Sequence, residues 1–138
     1  KITLKNPTRK GYTFAGWYTD SRFKTRITNF SSGNKTVYAK WTKVTVSKAK
    51  TPTLTNLSGR KLKITYSATS GAKGYQIQYA TNSKFSKATT KTLTGRSATY
   101  TLTKGKTYYV RVRAYKIDST GAKVYGSWSS VRSKKIVR

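Results

Sequence analysis

Two arginines, two tyrosines, a tryptophan and two glutamines are the side chains of this sequence best equipped for chemistry. Arg111 and Arg113 stand two apart in the run Lys-Thr-Tyr-Tyr-Val-Arg-Val-Arg-Ala-Tyr-Lys, residues 106–116, with Tyr109 and Tyr115 on the same parity. A guanidinium forks onto sulfate, phosphate or carboxylate through two parallel hydrogen bonds. A flat ring stacks on a sugar or a base. Gln76 and Gln78 fall beside the arginines if 74–80 is the neighbouring strand, and Trp128 supplies a ring that can stack on a guanidinium. These seven residues form the candidate ligand-binding set. Their chemistry is recognition of an anion rather than bond making.

Bond making has little to work with. General acid–base catalysis near neutral pH needs histidine or paired carboxylates, and the chain has no His, no Glu and only Asp20 and Asp118. A serine nucleophile would have only lysine as its base, and so many lysines are scattered along the chain that adjacency carries no information. Calcium and magnesium need oxygen cages rich in carboxylate, and without cysteine there is neither a thiolate metal site nor a disulfide. No phosphate-binding glycine loop of either common pattern occurs. The expected sets of catalytic, metal and cofactor-binding residues are therefore empty, and no cofactor is implied. Asp118 reads as a loop cap and Asp20 as a strand end.

Charge is the dominant feature of the composition. Thirty Lys and Arg face two Asp, a formal net charge of +28. Such a field attracts polyanions and opposes compaction by self-repulsion. The cations are spread along the whole chain, which favours diffuse attraction over one shaped groove. Disorder is not implied, because 3 Trp, 11 Tyr and 4 Phe punctuate patterned segments. Apolar runs fall far short of the ~20 residues of a membrane-spanning helix. No secretory signal pattern occurs, so any export signal is expected outside this sequence.

The arginines need a rigid element beneath them, and 107–116 reads as one. Tyr108, Val110, Val112 and Ala114 alternate with Tyr109, Arg111, Arg113 and Tyr115. That is the period of a strand with one core face and one wet face. Further strands are expected at 53–57, 62–68, 74–80, 90–93, 97–102 and 123–137, separated by Gly-containing turns. Seven short strands in 51–138 are the pattern of an immunoglobulin-like sandwich. Ahead of it, 2–5, 12–18 and 36–42 read as strands, 20–28 as a short helical turn and 31–34 as a loop. The stretch 43–50, basic and free of glycine, reads as a stiff connector or edge strand.

Leu102 six residues before Tyr108 resembles the tyrosine corner of fibronectin type III domains, whose hydroxyl bonds to backbone upstream. Lys104 stands where that family usually has proline. Gly-Tyr-Gln-Ile-Gln-Tyr at 74–79 resembles the family's third strand. Lys-Leu-Lys-Ile-Thr-Tyr at 61–66 resembles the second, with Tyr66 in the place of a tryptophan. Tyr-Gly-Ser-Trp-Ser-Ser-Val at 125–131 resembles the last strand of bacterial members. Its Trp-Ser pair is also similar to that of cytokine-receptor modules of the same fold. That similarity implies an interdigitated Arg–Trp ladder, which would stiffen the sheet and bind nothing. Both readings of the arginine face stand at this point.

Gly11-Tyr-Thr-Phe-Ala-Gly-Trp-Tyr, followed by Val37-Tyr-Ala-Lys-Trp, resembles the Listeria–Bacteroides repeat, a small β-grasp-like module of bacterial surface proteins. The resemblance covers the second part of a typical repeat and implies a partial module. Phe14, Trp17, Tyr38 and Trp41 then form either the module's own core or an exposed stacking platform.

Together these readings give a mostly β chain. It comprises a partial β-grasp-like repeat over 1–42, a basic linker over 43–50 and a fibronectin type III-like β-sandwich over 51–138. The two resemblances imply a monomeric piece of a larger secreted or wall-associated bacterial protein, extracellular or on the cell surface. The expected function is a non-catalytic stalk or binding region. Its partners would be anionic wall polymers or host glycans, held by diffuse positive charge. Non-specific binding of nucleic acid, and a pure spacer or accessory domain of an upstream enzyme, are the alternatives.

Overall fold

The computed structural model describes residues 2–30 and 36–138; the loop expected at 31–34 lies outside the described residues. The chain divides into two compact units. One is Lys1–Val44 with Ile117–Val124, the other Thr45–Lys116 with Tyr125–Arg138.

The first unit holds strands β1 (Ile2–Thr3), β2 (Tyr12–Tyr18), β3 (Arg26–Ile27), β4 (Asn29–Phe30) and β5 (Tyr38–Lys43). β2 lies between β3 and β5, and β1 pairs with β4. The ring of Phe14 meets Trp17 edge-on at 5.4 Å and Trp41 at 5.6 Å. The Trp17 indole N–H donates to the Lys5 carbonyl at 3.0 Å. All three rings are half-buried, whereas Tyr38 is exposed. Among the described residues, every fully covered hydrophobic side chain belongs to the second unit.

The helical turn expected at 20–28 does not form. Asp20 folds the backbone around its own carboxylate instead. Oδ1 accepts from the N–H groups of Lys24 at 2.9 Å and Thr25 at 3.0 Å. The chain then enters β3, with Phe23 in the left-handed region at φ 59. A carboxylate that offers its own acceptors competes with the helical ladder, and here it wins.

Asp118 organises the other edge of this unit. Its Oδ1 accepts from the Thr120 N–H and hydroxyl and from the Ala122 N–H, closing the loop as a cap. Its Oδ2 accepts from the Gly11 N–H at 2.8 Å. Next to it the Ser119 hydroxyl accepts from Arg9 N–H at 2.7 Å and donates to Arg9 C=O at 2.9 Å. The Gly11 bond first, then the Thr120 hydroxyl, lowers the Asp118 carboxyl from 3.8 to about 2. The Asp20 carboxyl is lowered in the same direction, chiefly by the Thr25 N–H.

A carboxyl depressed in the folded state stabilises fully above its unfolded pKa and ceases to do so as pH falls through the folded one. The second unit contains no Asp, Glu or His. Acidification from pH 4 to pH 2 is therefore expected to lower the melting temperature of the first unit and leave that of the second unchanged. Asp118→Ala should flatten most of the difference. Thermal melts followed by NMR at Trp17 and at Trp128 check both statements, and an equal acid shift in the two units would contradict them.

The second unit is a sandwich of two antiparallel sheets. One orders β10 (Ser97–Thr101), β7 (Lys61–Thr65) and β6 (Thr53–Leu57). The other orders β11 (Thr107–Ile117), β8 (Gly74–Ala80) and β9 (Thr89–Leu93), with β13 (Arg132–Lys135) also pairing β11; β12 (Lys123–Tyr125) lies in sequence between β11 and β13. Alternation decides the faces. Leu62 and Ile64 of β7, Ile77 of β8 and Val110 and Val112 of β11 are fully covered, as is Ile136. Each contributes about 1.5–3 kcal/mol through burial. The Tyr108 hydroxyl accepts from the Thr103 N–H at 3.1 Å, so the tyrosine corner forms although Lys104 replaces proline. Tyr66, in the tryptophan position, is buried and donates to the Gly95 carbonyl at 2.7 Å. Of the basic stretch before β6, Ala49 is buried in this core and Val46 packs against it.

Buried Asn56 joins the first strand of the sandwich to the segment after the last. Its Nδ2 donates to the carbonyls of Leu57, Lys61 and Arg138, and its Oδ1 accepts from the Val137 N–H at 2.8 Å. No donor or acceptor of this buried amide is left idle, which is the condition for a polar group to be tolerated there.

The single strand expected over 123–137 is broken in two. Between β12 and β13 the chain still follows β11, with the Gly126 N–H donating to Ala114 C=O and the Ser129 N–H to Val112 C=O. The returning bond is made by a side chain, however. Ser129 Oγ accepts from the Val112 N–H at 2.9 Å and takes the place of a strand carbonyl. Gly126 also lies so close to the backbone of Ser47 that a Cβ would stand 2.8 Å from its carbonyl oxygen.

Candidate functional site

β11 carries Arg111 and Arg113 on the face away from the core, and β8 sets Gln78 and Gln76 opposite them in register. Each glutamine Oε1 accepts two bonds from one guanidinium. Arg111 Nε and Nη2 donate to Gln78 at 2.9 and 2.6 Å, and Arg113 Nε and Nη2 to Gln76 at the same distances. The segment after β12 then lays Trp128 between the two cations.

The result is a five-membered stack: Phe85, Arg111, Trp128, Arg113, Tyr125. Arg111 Cζ lies 4.1 Å from the Phe85 ring centre and 4.5 Å from Trp128; Arg113 Cζ lies 4.3 Å from Trp128 and 3.8 Å from Tyr125. Each contact is worth about 0.5–2 kcal/mol, depending on how far water is excluded. Desolvation between the rings lowers the pKa of both guanidiniums from the ordinary value. Both stay charged, because the ordinary value is so high.

This geometry narrows what the arginines can do. Rings cover both flat faces of each guanidinium, and the side-on edge that would grip a carboxylate or phosphate is occupied by glutamine. Two of the five N–H donors of each arginine are spent in this way. What remains is a rigid, positively charged rim.

Of the seven residues singled out from sequence, five are brought together: Arg111, Arg113, Trp128, Gln76 and Gln78. Tyr109 shares their face, half-buried opposite Ala80, but takes no part in the stack. Tyr115 departs from the expected wet face: it is buried, 6% exposed. Its partner in register is Gly74, where a Cβ would fall 2.6 Å from the Tyr115 Cζ, so the ring lies down over the missing side chain. Phe85 and Tyr125, the two outer rungs, were not foreseen. Phe85 is a lone aromatic in a basic loop, and Tyr125 lies three residues before Trp128, a spacing with no strand period. Ser129 was missed too, though its neighbour Trp128 marked the stretch.

Among the described residues no group of three His, Cys, Asp or Glu side chains gathers to hold a metal ion. Among these residues no helix is long and apolar enough to cross a membrane.

Comparison with known proteins finds two kinds of similarity. The model of the Listeria-Bacteroides repeat domain matches residues 1–40. No curated protein sequence matches the chain. Among solved structures, an Fn3-like protein from Clostridium thermocellum is similar at 25% identity and a TM-score of 0.52, over 67% of this chain and 93% of that one. The sixth fibronectin type III domain of a human fibronectin type III domain-containing protein is similar at 17% identity and a TM-score of 0.54, over 70% and 90%. The chicken CNTN1 FN1–FN3 domains give 15% and 0.58, over 75% of this chain and 37% of that one. The fibronectin type III-like fold is typically non-catalytic. Both kinds of module are typical of extracellular bacterial surface proteins. The chain thus carries a match to the Listeria-Bacteroides repeat domain at its start, followed by a β-sandwich of the fibronectin type III-like fold.

Proposed function

We propose that this chain is a non-catalytic extracellular stalk and binding region of a bacterial secreted or cell-wall-associated protein. It holds anionic wall polymers or host glycans, mainly by diffuse positive charge. One observation carries this reading: 30 cationic side chains stand against two carboxylates, and both carboxylates are turned onto backbone N–H groups. The arginine stack supports it from the other side. Arg111 and Arg113, backed by Gln78 and Gln76 and separated by Trp128, contribute charge at a fixed place with the side-on fork of each already taken. Tyr109 and Tyr115 contribute no contact to a ligand in this reading.

Paired charge removals test it. Arg111→Gln with Arg113→Gln and, as a matched pair, Lys61→Gln with Lys63→Gln each remove two charges from the sandwich. Lys61 and Lys63 are exposed and lie on the other sheet. Heparin and duplex DNA are the probes, at low salt, with melts to confirm that both variants are folded. The two pairs are expected to weaken both probes alike, because counterion release counts charges and not their geometry. A loss confined to the arginine pair and to one probe would instead establish a specific site. Absence of binding by the unaltered chain would leave only the spacer function.

A further inference from the structure

We propose that a cleft beside the loop 81–88 binds one ring of an anionic sugar, a pyranose carrying a carboxylate or sulfate. The proposal rests on the polyanion reading above and adds to its diffuse charge a place where a single unit is seated.

The cleft has a volume of ≈ 300 Å³ and is lined by Tyr79, Tyr108, Asn82, Ser86, Lys87 and Thr89. That is the lower end of ligand-site sizes, room for one substituted ring and not for a longer chain. The lining combines the groups a sugar uses. Half-buried Tyr79 supplies aromatic surface for the C–H face of a pyranose, backed by the buried Tyr108 ring 6.2 Å away and packed edge to face against it. Ser86, Thr89 and Asn82 offer neutral hydrogen-bonding atoms for ring hydroxyls. Lys87 supplies the only formal charge in the lining, and it is positive. The second unit has no acidic side chain to receive a cation.

The loop is also held ready. Asn82 Oδ1 accepts from the Ser86 N–H at 2.9 Å, while its Nδ2 donates to the Ser86 carbonyl at 3.0 Å. A loop clasped in this way pays less ordering entropy on binding. Phe85 and Lys87 both adopt left-handed backbone, at φ 56 and 52, a conformation disfavoured for side chains of their size. Phe85 has a structural reason, since its ring caps Arg111. Lys87 is exposed and belongs to no core cluster, yet it is held in this conformation at the cleft. Unfavourable backbone that serves no packing is the kind found at ligand sites.

The experiment is an NMR titration of the full chain with glucuronic acid, with N-acetylglucosamine 6-sulfate, and with glucose and sodium sulfate as controls. Saturable shifts are expected at the amides of 82–89 with one or both anionic sugars, and neither control should saturate there. Lys87→Gln, at an exposed position, should weaken the saturating sugar by about tenfold, the value of one charge-assisted hydrogen bond. Lys61→Gln should leave it unchanged. Shifts scattered over all cationic faces without saturation would overturn the proposal, as would equal effects of the two substitutions. Heparin run in parallel separates the two levels. Heparin binding with a silent cleft rejects the cleft alone, whereas a saturating cleft with no heparin binding rejects the diffuse reading alone.

Discussion

Between 50 and 200 mM salt the affinity of this chain for heparin is expected to fall by about a thousandfold. The physics is release of condensed counterions: a footprint that neutralises about six anionic groups gives a steep, linear log–log dependence and a loss of about 10³ over that range. Attraction of this kind should be shared, so duplex DNA and heparin should displace one another in proportion to charge density. Fluorescence titration at four salt concentrations is sufficient. A nearly flat dependence would mean that the contacts are neutral hydrogen bonds and stacking, and the diffuse reading would have to be abandoned.

Trp128→Ala is expected to destabilise the sandwich by about 3 kcal/mol in a urea melt. The indole is half-buried and is the one ring that touches both guanidiniums. Its removal takes away two cation–π contacts of about 0.5–2 kcal/mol each, together with buried aromatic area. It also leaves Arg111 and Arg113 next to each other with nothing between them. Tyr125→Ala removes an end rung with a single contact and should cost about 1 kcal/mol. If the two substitutions cost the same, the central position of Trp128 has no energetic meaning and the stack is incidental.

Much of the sandwich was legible in the sequence, because strand alternation is a strong signal wherever one face is buried. Residues 107–116 placed Val110, Val112, Arg111 and Arg113 on their correct faces, and the aromatic motifs of 12–18 and 36–42 located β2 and β5. The failures have local causes. Tyr115 sinks because of a glycine forty-one residues earlier in the chain, a relation that exists only once β8 and β11 are in register. The last strand breaks because Ser129 lends its hydroxyl to the ladder, which no two-residue period can express. The 20–28 turn follows a carboxylate that outcompetes the helix for N–H groups. In the candidate site the shared face of the cations was legible from spacing, and the place of the glutamines only from taking 74–80 as the neighbouring strand. The outer rungs, Phe85 and Tyr125, come from a loop and from an irregular offset, where sequence carries no period to read.

The Asn56 amide has a mechanical consequence if the chain is a stalk, as proposed. From the first strand of the sandwich it bonds to the backbone of Val137 and Arg138, so together with the Arg60 N–H bond to the Arg138 carbonyl it ties the two ends of this unit to each other. β13 adds four paired residues against β11, next to the buried Ile136. Pulling must break this clasp before the core is exposed. Resistance to force in this module is therefore expected to be concentrated at its final strand.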